Sequence, residues 1–474
     1  MSRSTAVAVR PNWPQAVVVG LGVFMATTDV SSVTIALPTI ARELDVDLPQ
    51  AQWVALGYML GTASLMLFFG RLSDLIGRRR LALVGFAIYG GFAIVSALSV
   101  NLPMLVAARI IQSVGGSMLQ STGNALMVTA FPASMRGRAM GLNGSVVSLG
   151  LLAGPIIGGL ITGLLGWRFI FLLAAPLGLA ALALGAWILK EDKIPESSAR
   201  MDWLGAALLV GWTGALTYGI NQSALRGLGN PLIIAVLAGG ILLVAAFFWR
   251  QLRAASPLVE LRVFKVHAFT ISIGIGFLTF IGIAGHVLMT PFLLQDVMRI
   301  SPATAGALMS LMPLGAVLLA LQAGAFVDRF GPRIPATLGL LVMSAATASM
   351  LLLDEQSTIL DVGVRMLVLG LGQGLFMSPN SSSIMGSLPL SHIGLAGAFN
   401  AWMRTSGFVY GQAAFGLLFA AVVLSFEGVQ EALQAPFEFA RYGYWAVYGT
   451  AAGLFLVAAA LAATRGRVVT PASL

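Results

Sequence analysis

The sequence contains no cysteine, and only 9% of its 474 residues are charged. The first absence excludes disulfides and thiolate metal sites. The second excludes a soluble globular protein, because about a quarter of a soluble domain's residues carry charge and a core this large needs a charged cover. Histidine is scarce as well. His267, His286 and His392 lie far apart, so no ligand cluster forms and no metal is expected. There is no phosphate-binding glycine loop and no nucleophile–base constellation, so ATP use and covalent catalysis have no support. The chain reads as a non-enzyme with no cofactor.

What is present is apolar: 58% of the residues are hydrophobic and mean hydropathy is +0.91. Lipid is therefore the solvent. A hydrocarbon core about 30 Å thick takes roughly 20 residues of helix. Fourteen runs of that kind appear, at 15–37, 51–71, 81–100, 103–125, 137–161, 168–189, 203–222, 232–250, 269–293, 303–325, 333–353, 359–380, 395–424 and 443–463. Nineteen of the 27 basic residues fall in the loops on the side of the termini, whereas five (Arg42, Arg168, Arg226, Arg299 and Arg441) fall on the other. That bias predicts cytoplasmic termini and a multi-pass protein of the cell inner membrane. The net charge of +9 then reports orientation, and nucleic acid is not an expected partner.

A repeat organises these runs. Gly70, Asp74 and Gly77 recur with identical spacing as Gly324, Asp328 and Gly331, an offset of 254 residues. Arg109 matches Arg365 at 256, and Asn143 matches Asn400 at 257. Such offsets indicate a parallel duplication of a six-helix unit. The expected organisation is a cytoplasmic N-terminus (1–14), an N-terminal six-helix bundle (15–190), a linker with two inserted helices (191–265), a C-terminal six-helix bundle (266–463) and a cytoplasmic tail (464–474), in an all-α polytopic fold.

Individual residues carry chemistry. Asp29 lies mid-span in the first helix, where an ionised carboxylate costs about 2.5–3.5 kcal/mol on insertion scales. Arg109, mid-span in the fourth helix, is its cheapest partner. The pair is either a proton-coupling device, with Asp29 titrating as the protein changes state, or a fixed ion pair. His286 lies 257 residues after Asp29, at the pseudo-symmetric place, and is either a second proton-coupling group or a hydrogen-bonded packing residue. Arg365 and Arg404 add cations without matching acids, which leans towards anionic, zwitterionic or neutral substrates unless these arginines neutralise helix C-terminal carbonyls. Candidate substrate-cavity residues are Phe24, Met25, Tyr58, Gln112, Gln120, Asn124, Asn143, Phe292, Asn400, Trp402 and Arg404. Gly150, Gly154, Gly158 and Gly159 place small residues on the fifth helix, and Pro155 removes one of its hydrogen bonds, permitting close packing or a bend that seals the cavity. The basic loop Gly70–Arg80, with Arg78 after Gly77, reads by itself as a topology signal of cytosolic arginines.

With these motifs the chain resembles the major facilitator superfamily, and with fourteen helices its drug:proton antiporter branch. Arg109-Ile-Ile-Gln112-Ser-Val-Gly115-Gly116 is similar to the fourth-helix motif, Gly150 to Gly159 to the antiporter motif of the fifth, and Asp29 through Pro38 to the first-helix motif. Trp53, Tyr58, Trp167-Arg168 and Asp202-Trp203 also match that branch. Ser113 stands where the family usually has Gly and Thr34 where it usually has Asn. The resemblance implies a monomeric transporter exporting lipophilic small molecules across the bilayer by alternating access, with protons as the coupling ion and the Gly70–Arg80 loop as a conformational latch, compatible with its topology role, in which Asp74 caps a neighbouring helix end. Export of an endogenous amphiphile (fatty acid, lipid or organic anion) and a non-transporting receptor of the same fold are the alternatives.

Overall fold

The computed structural model describes residues 11–132, 135–190, 201–254, 257–353, 357–389, 393–426, 432 and 435–465. Within them, fourteen helices are long and apolar enough to cross a membrane. They are α1 (Trp13–Leu44), α2 (Trp53–Ile76), α3 (Arg78–Ala97), α4 (Leu102–Thr129), α5 (Arg136–Leu164), α6 (Arg168–Ile188) and α7 (Trp203–Arg226), followed by α8 (Pro231–Arg253), α9 (His267–Phe292), α10 (Pro302–Phe330), α11 (Arg333–Ser349), α12 (Ile359–Gly386), α13 (Ile393–Val423) and α14 (Phe437–Thr464). The expected spans match these closely. The exception is α1, which runs through Pro38 to Leu44 instead of ending before the proline. Proline removes only one hydrogen bond here, and the helix stops where Asp45 adopts the left-handed region at φ 50°.

Asn12, Asn101, Asp202 and Asn230 each cap a helix with a side-chain oxygen that accepts a backbone N–H within the first turn. The lipid-facing surface is apolar: Trp187 is 93% exposed and Leu164 78%. Only a hydrocarbon solvent makes such a surface stable.

The two bundles repeat one packing scheme. In the first, α4 packs on α2 and α3, α1 on α5 and α6, and α3 on α6; in the second, α12 packs on α10 and α11, α9 on α13 and α14, and α11 on α14. One close crossing in each half sits at equivalent glycines. A Cβ on Gly115 would lie 2.6 Å from the Gly85 carbonyl, and one on Gly372 2.7 Å from that of Gly339. The motif glycines also match in backbone: Gly77 (φ 97°) and Gly331 (φ 72°) both turn the chain between helices in a region closed to most side chains.

The first inserted helix does more than occupy lipid-facing space. α7 lies across α2 of one bundle and α13 of the other. Ser64 and Thr213 hydroxyls bond at 2.6 Å, the Asn221 amide donates to Gln52 Oε1 at 2.8 Å, and the Trp212 ring stacks on Tyr410 with centroids 6.3 Å apart. α8 is peripheral, burying only Ile233, Gly240, Phe247 and Gln251. Trp212→Ala is expected to lower stability by about 3 kcal/mol through the lost packing, read as an earlier thermal unfolding transition in detergent. An unchanged transition would mean that α7 is not anchored through this ring.

Candidate functional site

Asp29 and Arg109 meet in the interior as a bidentate pair. The guanidinium NH1 donates to Asp29 Oδ1 at 2.9 Å and NH2 to Oδ2 at 2.7 Å, with both side chains essentially inaccessible. Arg109 is satisfied on its remaining edge too: NH1 also donates to Gln112 Oε1 at 2.8 Å, and Nε donates to the Val54 carbonyl at 3.1 Å. The spacing is helical, since Gln112 lies one turn from Arg109 on α4. Two rings enclose the charge. Tyr58 lies 4.4 Å from the guanidinium carbon and Phe171 5.3 Å. Gly116 is required beside Tyr58, because a Cβ there would run into the tyrosine hydroxyl.

Next to this pair, and screened from it by Tyr58, lies a cavity of about 180 Å³ between the two bundles. Its wall is apolar and soft: five methionines (Met59, Met309, Met312, Met366 and Met377) join Phe280, Phe408, Leu151 and Pro155. Polar groups are few, namely Thr27, Ser31, Thr62, Gln120, Gln373 and Thr405, and the one charged group among the described lining residues is Arg404. Methionine-rich walls adapt to differently shaped apolar ligands.

Of the residues expected on the cavity wall, Tyr58, Gln120 and Arg404 are there. The others are not. Gln112 is committed to Arg109, and the Met25 carbonyl accepts from Tyr89 at 3.3 Å beneath the ion pair. Phe24 lies on α1 outside the lining, Phe292 is in the core of the second bundle, and Asn143 is buried on α5. Asn400 bonds Ser381 at 3.3 Å, and Trp402 packs on Phe399 with centroids 6.3 Å apart. Helix register commits Gln112, Asn400 and Trp402 to contacts within their own bundle. The side chains of Asp74, Asn124 and Asp328 lie outside the described residues.

His286 is fully buried in the second bundle, away from Asp29. Its Nε2 is 2.8 Å from the Thr347 hydroxyl, and its ring lies 5.0 Å from that of Tyr448. The pseudo-symmetric offset places it at an equivalent level of α9, but the ring faces α11 and α14 rather than the cavity. Arg365 likewise does not mirror Arg109. It donates to the Ser349 carbonyl at 3.1 Å and to that of Asp361 at 2.7 Å, capping a helix end.

The repeat leads from the expected Tyr58 and Gln120 to two of the missed wall residues, Met312 and Met377, and pairs others on the wall with one another. Offsets of 254 to 257 carry Tyr58 to Met312, Met59 to Pro313, Gln120 to Met377, Val30 to Val287 and Leu151 to Phe408, and every one of these lines the cavity.

The small-residue face of α5 makes two crossings. A Cβ on Gly150 or Gly154 would collide with Thr27 or Ser31, and one on Gly158 with the Ser32 backbone at 2.6 Å, so this face seats α1. The Ser32 hydroxyl donates to the Gly154 carbonyl at 2.8 Å. Gly159 instead faces α10 of the other bundle, where a Cβ would collide with the Pro302 carbonyl. On the termini side, Gly70 has open space around it, and Arg79, next to Arg78, donates to the Ala186 carbonyl of α6 at 2.8 Å.

The bundles close together at the end remote from the termini. There α9 passes into a π-helical turn, Leu293–Val297, that carries Gln295 and Asp296. Gln295 Nε2 donates to the Ile35 carbonyl at 2.8 Å, Thr39 bonds Gln295 Oε1 at 3.4 Å, and Arg42 pairs with Asp296. A recess of about 750 Å³ lies over this bridge, bordered by Arg42, Asp45, Asp296 and Arg299. Its charged rim makes it a vestibule rather than a site for apolar ligands. Gln295→Leu removes a buried donor from this seal and is expected to raise the population open at that end by about 2- to 10-fold. Interspin distances between labels at Val46→Cys and Met298→Cys would read it, and no native cysteine needs removal. An unchanged distance distribution would show that the amide does not hold the seal.

Comparison with known proteins follows the same lines. The sequence model of the Major Facilitator Superfamily matches residues 19–412 and 274–471. The chain is 34% identical over 413 residues to the riboflavin transporter RibZ of Clostridioides difficile, covering 87% of this chain and 89% of that one. It is 32% identical over 416 residues to the tetracenomycin C resistance and export protein of Streptomyces glaucescens, covering 87% and 76% respectively. Among solved structures, a peptide transporter crystallised with sulfate superposes with a TM-score of 0.70 at 14% identity, covering 98% of this chain and 96% of that one, a likeness of fold alone.

Proposed function

The chain belongs to the Major Facilitator Superfamily, and from that premise we propose that it exports lipophilic small molecules in exchange for protons, by alternating access across the cell inner membrane with both termini in the cytoplasm. It is a multi-pass membrane transporter and not an enzyme. The observation that carries the finer reading is the buried Asp29–Arg109 pair behind Tyr58, one ring away from an apolar cavity shared by both bundles.

The chemistry follows from cost. An ionised carboxylate in hydrocarbon persists only while paired, so a proton arriving at Asp29 and the loss of its Arg109 partner are one event. That event frees Arg109 from α1 and alters the contact of α1 with α2 and α4, the helices whose movement against the second bundle would break the Gln295 and Asp296 seal. A membrane potential of 100 mV supplies about 2.3 kcal/mol per charge moved, and a pH gradient adds to it. Arginines on the termini side favour the cytoplasmic assignment, which makes the closed end the outer one.

The relatives support the reading unevenly: one is named for tetracenomycin C export, the other for riboflavin transport. Arg404 on the cavity wall, with no carboxylate among the described lining residues, favours an endogenous amphiphile as the second reading. The test is pH-gradient collapse in proteoliposomes carrying the purified protein, over a panel of cationic, neutral and anionic lipophiles. Collapse triggered by one charge class supports antiport and identifies that class. If folded protein shows no collapse with any compound, the proton-coupled reading fails.

A further inference from the structure

We infer that Arg404 is the anchor for an acidic group, so that the substrates of this cavity are apolar bodies bearing a single carboxylate or similar anion rather than lipophilic cations. The inference rests on the reading of the cavity as the substrate site.

The cavity is built by pseudo-symmetric pairs, and the pair that breaks the symmetry is informative. Val147 on α5 and Arg404 on α13 stand 257 residues apart and both line the wall, so a guanidinium takes the place that valine fills in the other bundle. Every other pair named above is uncharged. Packing does not call for a cation there, since the equivalent position is filled by an aliphatic side chain.

Arg404 has no hydrogen-bond or ion-pair partner among the described residues, in contrast to Arg109, Arg365 and Arg465. Even the buried Arg465 donates to Ser383 Oγ at 2.6 Å and Asn380 Oδ1 at 2.8 Å. Nor are the Arg404 nitrogens among the buried unpartnered atoms. They are therefore accessible, on a residue that lines the cavity. Asp29 is held by both its oxygens on Arg109, whose guanidinium carries the Tyr58 ring over it, and Asp29 is not among the lining residues. A guanidinium on a low-dielectric wall is strongly favoured by an incoming carboxylate, which it can bind through two parallel N–H donors. A ligand cation would be repelled by it, with no carboxylate among the described lining residues to offset the repulsion.

The experiment uses three probes of one shape on the purified full-length protein: 1-pyrenebutyrate, 1-pyrenebutanol and 1-pyrenebutylamine, with binding followed by quenching of tryptophan emission. The wild type is expected to bind the butyrate about 10- to 100-fold more tightly than the amine. Arg404→Gln is expected to lose that preference while still binding the alcohol. Arg404→Lys, which keeps the charge without the fork, is expected to retain part of it. A wild type that ranks the amine equal to or above the butyrate, or does not bind the butyrate, overturns the anchor. So does an Arg404→Gln protein that keeps the wild-type ranking. Transport of the same probes in proteoliposomes separates this from the export reading: anion-selective binding without transport leaves the anchor standing and removes the exporter, whereas transport without charge preference does the reverse.

Discussion

Asp29→Asn is expected to abolish substrate-triggered proton movement, by at least about 100-fold, while leaving the cavity able to bind substrate. The amide is nearly isosteric with the carboxylate and sits behind Tyr58, so the wall itself changes little. What is lost is the only described acid in contact with Arg109. Removing one partner of a buried ion pair leaves the other charge uncompensated, at a cost of about 3–5 kcal/mol. A lower unfolding temperature is therefore expected alongside the transport defect, and the two effects must be separated. Pairing Asp29→Asn with Arg109→Gln removes both charges and is expected to recover stability without recovering proton coupling. If the double substitution restores both, or if Asp29→Asn alone still couples protons to substrate, Asp29 is a structural counter-ion and the proton path lies elsewhere. The readout is the collapse of an imposed pH gradient, with circular dichroism melts as the control.

The second large effect is expected at the crossing of α5 and α10. Gly306 approaches the Pro155 carbonyl so closely that a Cβ would overlap it, and the same Cβ would lie 3.1 Å from Gly159 Cα. Both obstacles are backbone, which cannot swing aside as a side chain can. Gly306→Val is therefore expected to force the two bundles apart at the closed end and to cut transport by about 100-fold or more, since a cycle that cannot close on one side cannot alternate. Interspin distances between Val46→Cys and Met298→Cys would lengthen, and Gly306→Ala would already show part of the change. Gly163→Ala is the internal control: its Cβ would meet Ala303 at an ordinary 3.6 Å on the same crossing, so transport should persist. Full transport in Gly306→Val would show that this crossing does not need to close.

Pro155 ties these two predictions together. It lines the cavity on one side, and its carbonyl receives Gly306 on the other. The face of α5 seats α1, which carries Asp29, through Gly150, Gly154 and Gly158. Under the proton-exchange proposal, a shift of α1 on protonation of Asp29 would reach the interface between the bundles through this one helix.

The apolar runs, the scarcity of charge and the repeat offsets determined fourteen helices in two duplicated bundles, because the bilayer leaves helices as the one form that satisfies every backbone group within a segment. The meeting of Asp29 with Arg109 was legible for the same reason: two charges in hydrocarbon have few options but each other. The tertiary structure alone decided which polar residues face the cavity, because a helix offers all its faces to sequence analysis alike and only packing selects one. Gln112 and Gln120 lie two turns apart on α4, yet the first serves Arg109 and the second lines the wall. It also decided that His286 turns into its own bundle, that a π-helical turn carries Gln295 to the Ile35 carbonyl, and that α7 bridges α2 and α13. Each depends on the rotation of one helix against another, which the close approach of backbones at a few glycines sets and which residue order does not express.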